Sequence, residues 1–344
     1  MGLEWEQVVV AAADPVMLGR WWVNERLTPG LAVHLRRPPD SADASVHRAE
    51  RSPCPAARSP PYDGGVDAKG GSGTAAAPAR RGEPAAERHW WAGHEDALPD
   101  GLEWLSARER ARFEALRFTK RRNEYLLRRW VGKRTVAARV GLDTGPVSLA
   151  RIEVLNRITG APYVSIEGAV APWEISLSDR AGCAVALIGA VGGGSRGALG
   201  IDLELVERRS EGFVTDFLTR AEQDWVRGAA AQDPRLGQDA AANLVWSAKE
   251  SALKVLHLGL RADTRWVEVT LASDARGDGW ARFTAVWRGG QVMPGWWRRD
   301  GAYLLTVAAE VHLDPPRVLP GAVEMSLARP VHSWVDRPLV TPEE

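Results

Sequence analysis

From Arg37 to about Glu87 the chain is built of Pro, Ala, Gly, Ser and Arg with almost no large apolar residues, as in Arg58-Ser59-Pro60-Pro61 and Gly70-Gly71-Ser72-Gly73. Such a stretch cannot bury enough apolar area to offset the entropy of ordering it, which predicts a disordered linker over 37–88. A packed domain has to lie beyond it. Upstream, residues 1–36 offer one apolar run, Val8 to Val16, and Trp21-Trp22-Val23. That is too little for a domain and reads as an extension of no assigned role.

Composition narrows the function classes. Lys plus Arg and Asp plus Glu number 44 each, so no global charge excess points to nucleic acid or to a membrane surface. Cys54 and Cys183 are the two cysteines, giving neither a disulfide framework nor a metal knuckle, as suits a reducing compartment. The N-terminus lacks a basic signal start, and the apolar run from Cys183 to Val191 is too short to cross a bilayer. The expectation is a cytoplasmic protein. Histidines are scattered without HExxH spacing, and no G-x-S-x-G elbow occurs. The 16 tryptophans come partly in pairs, Trp21-Trp22, Trp90-Trp91 and Trp296-Trp297. Base-stacking platforms need adjacent cationic grooves, so core packing is the favoured reading.

Structure is expected to resume at His89. Ser106 with Glu109 forms a capping box, and apolar residues from Phe113 to Val140 recur at helical spacing until Gly141 ends the run. Cations interleave, including Lys120, Arg121, Arg122, Arg128, Lys133 and Arg134; they fit a solvated face or a site for phosphates or an acidic partner. Strand-like segments follow up to Ile188. Gly192 to Gly197 fits a G-x-G-x-x-G string, but a strand follows it rather than a helix, so it reads as a connector. After Ala198–Leu205 come helices near Ala221 and over Asp239–Leu258, then strands Trp266–Leu271, Trp280–Trp287 and Tyr303–Ala309. Helices then strands, given twice, predict an α+β fold of two similar halves over 89–191 and 192–310, with a loosely ordered tail over 311–344.

Two constellations carry chemistry. In Gly200-Ile201-Asp202-Leu203-Glu204, the carboxylates lie two apart on a strand and share one face, while Ile201, Leu203 and Leu205 face the other way. Adjacent like charges repel, and a hard divalent cation such as Mg²⁺ relieves this; a solvent-facing acidic pair at a strand edge is the plainer alternative. In Trp246-Ser247-Ala248-Lys249-Glu250-Ser251-Ala252-Leu253-Lys254, residues 246, 250 and 254 share one helical face. Glu250 and Lys254 fit a simple i, i+4 ion pair. The tryptophan in the stripe argues for burial, and a buried acid beside a lysine suits a metal-bound phosphoryl centre better.

Together these segments resemble the paired signature of the 4′-phosphopantetheinyl transferases of the surfactin-synthetase-activating type, roughly G-[IV]-D-[IVL]-E followed by W-[ST]-x-K-E-[AS]-x-x-K. The resemblance covers about residues 89–310. It implies a monomeric pseudo-dimer of two α+β halves with the active site in the cleft between them. It implies Mg²⁺ as cofactor, held by Asp202, Glu204 and Glu250, with Glu250 and Lys254 catalytic. It implies transfer of the 4′-phosphopantetheine group from coenzyme A to a serine of an apo-carrier protein of fatty-acid, polyketide or nonribosomal-peptide systems, releasing 3′,5′-ADP. The segment from Phe213 to Trp225, or the basic helix, would face the carrier.

Two family motifs are altered. Gly160-Ala161-Pro162 stands where the family has Gly-Lys-Pro, and Glu174-Ile175-Ser176-Leu177-Ser178 where it has Asn-Ile-Ser-His-Ser. Gly160, Pro162, Ser176 and Lys254 are the coenzyme A contacts this implies, and Arg180 is added to them as a compensating cation. Arg180, Arg157 and Lys120-Arg121-Arg122 are candidates to replace the cations missing at Ala161 and Leu177. The alternative function is a degenerate, non-catalytic relative that binds carrier or nucleotide. A nucleic-acid-binding role, suggested by the cationic helix and paired tryptophans, is disfavoured.

Overall fold

The segments Cys183–Ala190 and Tyr303–Ala309 are apolar at nearly every position, so the sheets they join can be covered on both faces, and the fold follows from that. The computed structural model describes residues 87–190, 198–233, 236–312 and 314–331. The chain divides into units 1–81 and 82–344. The first unit lies outside the described residues, as do the expected extension, nearly all of the expected linker and the glycine connector.

The first half runs β1 (Arg88–His94), α1 (Ala107–Glu114), α2 (Thr119–Val140), α3 (Pro146–Ala150), β2 (Ile152–Asn156), β3 (Pro162–Ile166), β4 (Ala169–Val170), β5 (Trp173–Arg180) and β6 (Cys183–Ala190). The second runs β7 (Leu199–Leu205), α4 (Glu211–Phe217), α5 (Arg220–Gln232), α6 (Gln238–Val255), β8 (Val267–Ala275), β9 (Ala281–Trp287), β10 (Val292–Asp300) and β11 (Tyr303–Ala309), and β12 (Arg317–Val318) follows. The sheets are ordered β12-β1-β6-β5, β2-β3-β4 and β7-β11-β10-β9-β8. The class is α+β.

Strand alternation sorts three cores. Trp90, Ala92, Val185 and Leu187 meet Ile201, Leu203, Leu305 and Val307 in one cluster, which joins the β1 and β7 sheets face to face. On the opposite faces, Trp91, Ala184 and Ile188 pack with Leu126, Trp130 and Val131 of α2, and Trp297, Leu304 and Ala308 pack with Leu244, Ala248 and Ala252 of α6. Both described tryptophan pairs are thus core residues.

The halves repeat one device. Ser106 caps α1 in a capping box with Glu109, whose Oε1 accepts from Val154 N at 2.9 Å and whose Oε2 pairs with Lys133 Nζ at 2.5 Å. Thr219 caps α5 in a capping box with Glu222, whose Oε1 accepts from Val269 N at 2.8 Å and whose Oε2 pairs with Lys249 Nζ at 2.8 Å. Each lysine also donates to two carbonyls, Trp104 and Leu149 or Thr264 and Val267. Trp130-x-x-Lys133-Arg134 therefore parallels Trp246-x-x-Lys249-Glu250. Where the second half places an acid after its lysine, the first places Arg134, stacked on Trp91 and Trp130.

Several expectations change. The helical run after Arg108 is two helices: the chain breaks over 115–118, where Arg122 Nε donates to the carbonyl of Leu116. Strand β10 was not foreseen, because Pro294-Gly295 reads as a turn; it is nonetheless central in its sheet, between β9 and β11. Gly295 is needed there, since a Cβ would lie 2.2 Å from the Phe283 ring and 2.6 Å from Val307 O. The expected loose tail is packed over 314–331. β12 pairs with β1 in parallel, Leu319 and Met325 are buried, and Val331 N donates to Ala181 O.

Gly200 sets how closely α6 approaches β7. A Cβ at this position would lie 1.8 Å from Ser251 O, a backbone atom that cannot rotate away. Gly200→Ala is expected to destabilise the protein by about 3 kcal/mol, near the top of the overpacking range, and to be seen as a shifted denaturant midpoint. An unchanged midpoint would contradict so close a contact.

Candidate active site

Strand β7 and helix α6 bring the acidic side chains together. Asp202, Glu204 and Glu250 each offer a carboxylate oxygen, these oxygens lie within 4.8 Å of one another, and all three residues are buried. It is the one such group among the described residues. Strand periodicity puts Asp202 and Glu204 on the α6 side, and helical periodicity lines up Asn243, Trp246, Ser247, Glu250 and Lys254 opposite them.

Every oxygen of the β7 pair has a donor. Asp202 Oδ1 accepts from Ser178 Oγ and Lys254 Nζ, both at 2.8 Å, and Oδ2 accepts from Ser247 Oγ at 2.9 Å. Glu204 Oε1 accepts from the Trp246 indole at 3.0 Å, and Oε2 from Arg209 Nη2 at 2.9 Å. Lys254 also donates to Ile201 O at 2.7 Å. Glu250 differs: burial first, then the Asp202 charge, pushes its carboxyl well above the usual range, against the opposing pull of Lys254. A hydrogen bond to Asp202 acts in the same upward direction.

Three hard oxygen donors with a surplus of negative charge fit a divalent cation of the Mg²⁺ type. Their oxygens lie close enough together to share one ion, whose charge would offset the repulsion that disfavours ionised Glu250.

A further cation, Arg180, lies beside the triad. Arg180 pairs with Glu207 and lies 3.5 Å from Glu204; burial lowers its pKa, but Glu204 and Glu207 outweigh that and the net direction is upward. Next to it on β5, Asp179 accepts from Arg128 Nη1 at 2.7 Å. Lys120 and Arg121 both pair with Glu124. Other cations of α2 are internal: Lys133 is fully buried, and Arg129 donates to Asn156.

The remaining expected contacts are dispersed. Ser176 is buried, and its hydroxyl accepts from Ile201 N at 3.1 Å, tying β5 to β7. Leu177 points the other way, into the α2 core. Gly160 and Pro162 sit at the β2–β3 turn, where Asn156 Nδ2 donates to Gly160 O and Arg261 reaches across to Thr159 O. Arg157 stacks on Tyr163. Ser178, Ser247, Arg209 and Asn243 were not singled out from sequence. Ser178 shares a strand face with Ser176, and Asn243 and Ser247 share the helix face of Glu250, so periodicity alone points to these three; Arg209 leaves no such signal.

Residues 198–308, the segment that holds the triad, match the model of the 4′-phosphopantetheinyl transferase superfamily. This segment belongs to that superfamily. A holo-[acyl-carrier-protein] synthase of Streptococcus pyogenes serotype M28 (strain MGAS6180) is 38% identical over 61 residues, which cover 18% of this chain and 51% of that protein. The chain thus spans about half the length of this curated relative. A crystal structure of the Thermotoga maritima holo-[acyl-carrier-protein] synthase aligns at 20% identity over 37% of this chain and 80% of its own, with a TM-score of 0.26. All three of Asp202, Glu204 and Glu250 fall inside the phosphopantetheinyl transferase superfamily segment. Among the described residues, no helix is long and apolar enough to cross a membrane.

Proposed function

We propose that this chain transfers the 4′-phosphopantetheine group of coenzyme A to a serine of an apo-carrier protein, with Mg²⁺ held by Asp202, Glu204 and Glu250. The observation that carries this reading is the convergence of three buried carboxylates from β7 and α6 within the superfamily segment. A bound Mg²⁺ supplies charge neutralisation at the pyrophosphate of coenzyme A.

The protein's own groups do the rest. Ser178 and Ser247 orient Asp202, and Trp246 and Arg209 orient Glu204. Lys254 puts a cation beside Asp202, where it stabilises negative charge on the leaving 3′,5′-ADP. The carrier serine oxygen forms a bond to the β-phosphorus of coenzyme A as the bond from that phosphorus to 3′,5′-ADP breaks. The serine proton passes to Glu250, directly or through water. Arg180, with Lys120 and Arg121, supplies the cationic side on which the nucleotide phosphates rest, in place of the cations absent at Ala161 and Leu177. Ser176, Gly160 and Pro162 give shape rather than charge, since the Ser176 hydroxyl already holds a backbone N–H. The two halves act as one pseudo-dimer with the acid in one half alone, and Arg134 closes the matching position in the other.

Incubation with coenzyme A, Mg²⁺ and apo-carriers of the acyl, peptidyl and aryl types tests this by intact mass. A phosphopantetheine adduct that chelator abolishes is expected. Unmodified carriers throughout would overturn the reading.

A further inference from the structure

We propose that Arg209 is a positioning residue for Glu204, locked in place by Asn243 and by the ring of Phe213. The proposal rests on the metal-binding reading of the triad. Arg209 Nη2 donates to Glu204 Oε2 at 2.9 Å, while its Nε donates to Asn243 Oδ1 at 2.6 Å. Asn243 is itself fixed, because its Nδ2 donates to the carbonyls of Glu207 at 2.6 Å and Asp239 at 2.8 Å. The amide oxygen is left for the guanidinium. On a third side the guanidinium carbon stacks 4.6 Å from the centroid of Phe213, which packs in turn on Phe217 and Trp246.

A guanidinium held this way differs from a surface ion pair, whose two long side chains sample many geometries. It is mostly buried, with 13% of the side chain exposed. Its fork lets one side chain serve two acceptors at once, the amide that orients it and the carboxylate it orients. With Trp246 on the other oxygen, both oxygens of Glu204 are held, and each keeps a lone pair for a cation. The same contacts tie α4 to the acidic centre, since Phe213 belongs to α4 and Asn243 to α6.

Two roles are separable. A counter-charge beside Glu204 would weaken cation binding, whereas a positioning donor strengthens it; partners of this kind alter metal affinity by about 10–100-fold. Arg209→Lys keeps the charge but cannot reach Glu204 and Asn243 together. Asn243→Ala leaves the guanidinium its charge and removes the amide oxygen that orients it.

The test titrates Mn²⁺ into the full chain without coenzyme A and reads free Mn²⁺ by electron paramagnetic resonance. The apparent Mg²⁺ activation constant in the transfer reaction is a second readout, and circular dichroism checks that each variant is folded. Both variants are expected to weaken Mn²⁺ binding at least about tenfold, with no rescue by lysine. Binding as tight as or tighter than the wild type in either folded variant would overturn the proposal and assign Arg209 to charge balance. A wild-type protein that takes up no Mn²⁺ would overturn the metal reading itself, an outcome distinct from unchanged variants.

Discussion

Glu250→Gln is expected to lower transferase turnover by on the order of 10³-fold while leaving the metal-free protein at least as stable as the wild type. The two effects have one cause. Glu250 is buried beside Asp202 and Glu204, and burial first, then the Asp202 charge, disfavours its ionised form. Glutamine keeps the shape without a charge to bury beside Asp202, so the metal-free fold loses nothing. It cannot supply a charged ligand or accept the serine proton. The stabilisation that Mg²⁺ confers on the wild type, about 2.7 kcal/mol at 100 times its Kd, should be lost as well, with the rise in melting temperature that reports it. Calorimetry with and without Mg²⁺, beside a turnover assay, checks both halves. A variant that turns over normally would remove Glu250 from the reaction.

Glu222→Ala is expected to cost about 3–5 kcal/mol, far more than its distance from the acidic triad suggests. Lys249 is fully buried: its ammonium, whose pKa burial pulls down, rests on Glu222 and two carbonyls. Removing the acid leaves an uncompensated buried charge and frees the Thr219 and Val269 N–H groups that Glu222 accepts. Because Lys249 immediately precedes Glu250, the loss reaches the acidic centre. Glu109→Ala should produce the matching loss through Lys133 in the other half. Denaturant titration measures each. A cost near that of a surface ion pair, under about 1 kcal/mol, would contradict the buried geometry.

The acidic centre was legible in the sequence because it depends on two periodicities. Two carboxylates two apart on a strand, and a Trp-Glu-Lys stripe on a helix, each name a face without knowledge of the fold. Capping boxes at Ser106 and Thr219 were legible for the same local reason. The inward contacts of their Glu residues were not: nothing local says that Glu109 and Glu222 continue to Lys133 and Lys249, since that depends on packing between distant segments. Arg209 was hidden likewise, as its partners Glu204, Asn243 and Phe213 meet only when α4 and α6 fold against β7. Strand β10 was masked by Pro294-Gly295, whose turn chemistry gives way to the close packing of Phe283 and Val307. The order of 314–331 was hidden by proline content, although Leu319 and Met325 supply buried anchors.

The most direct measurement is the anomalous difference map of a crystal soaked in Mn²⁺. A single peak ligated by carboxylate oxygens of Asp202, Glu204 and Glu250 together is the expected result. A map with no peak among these three side chains, or with the ion held elsewhere while transfer proceeds, would contradict it.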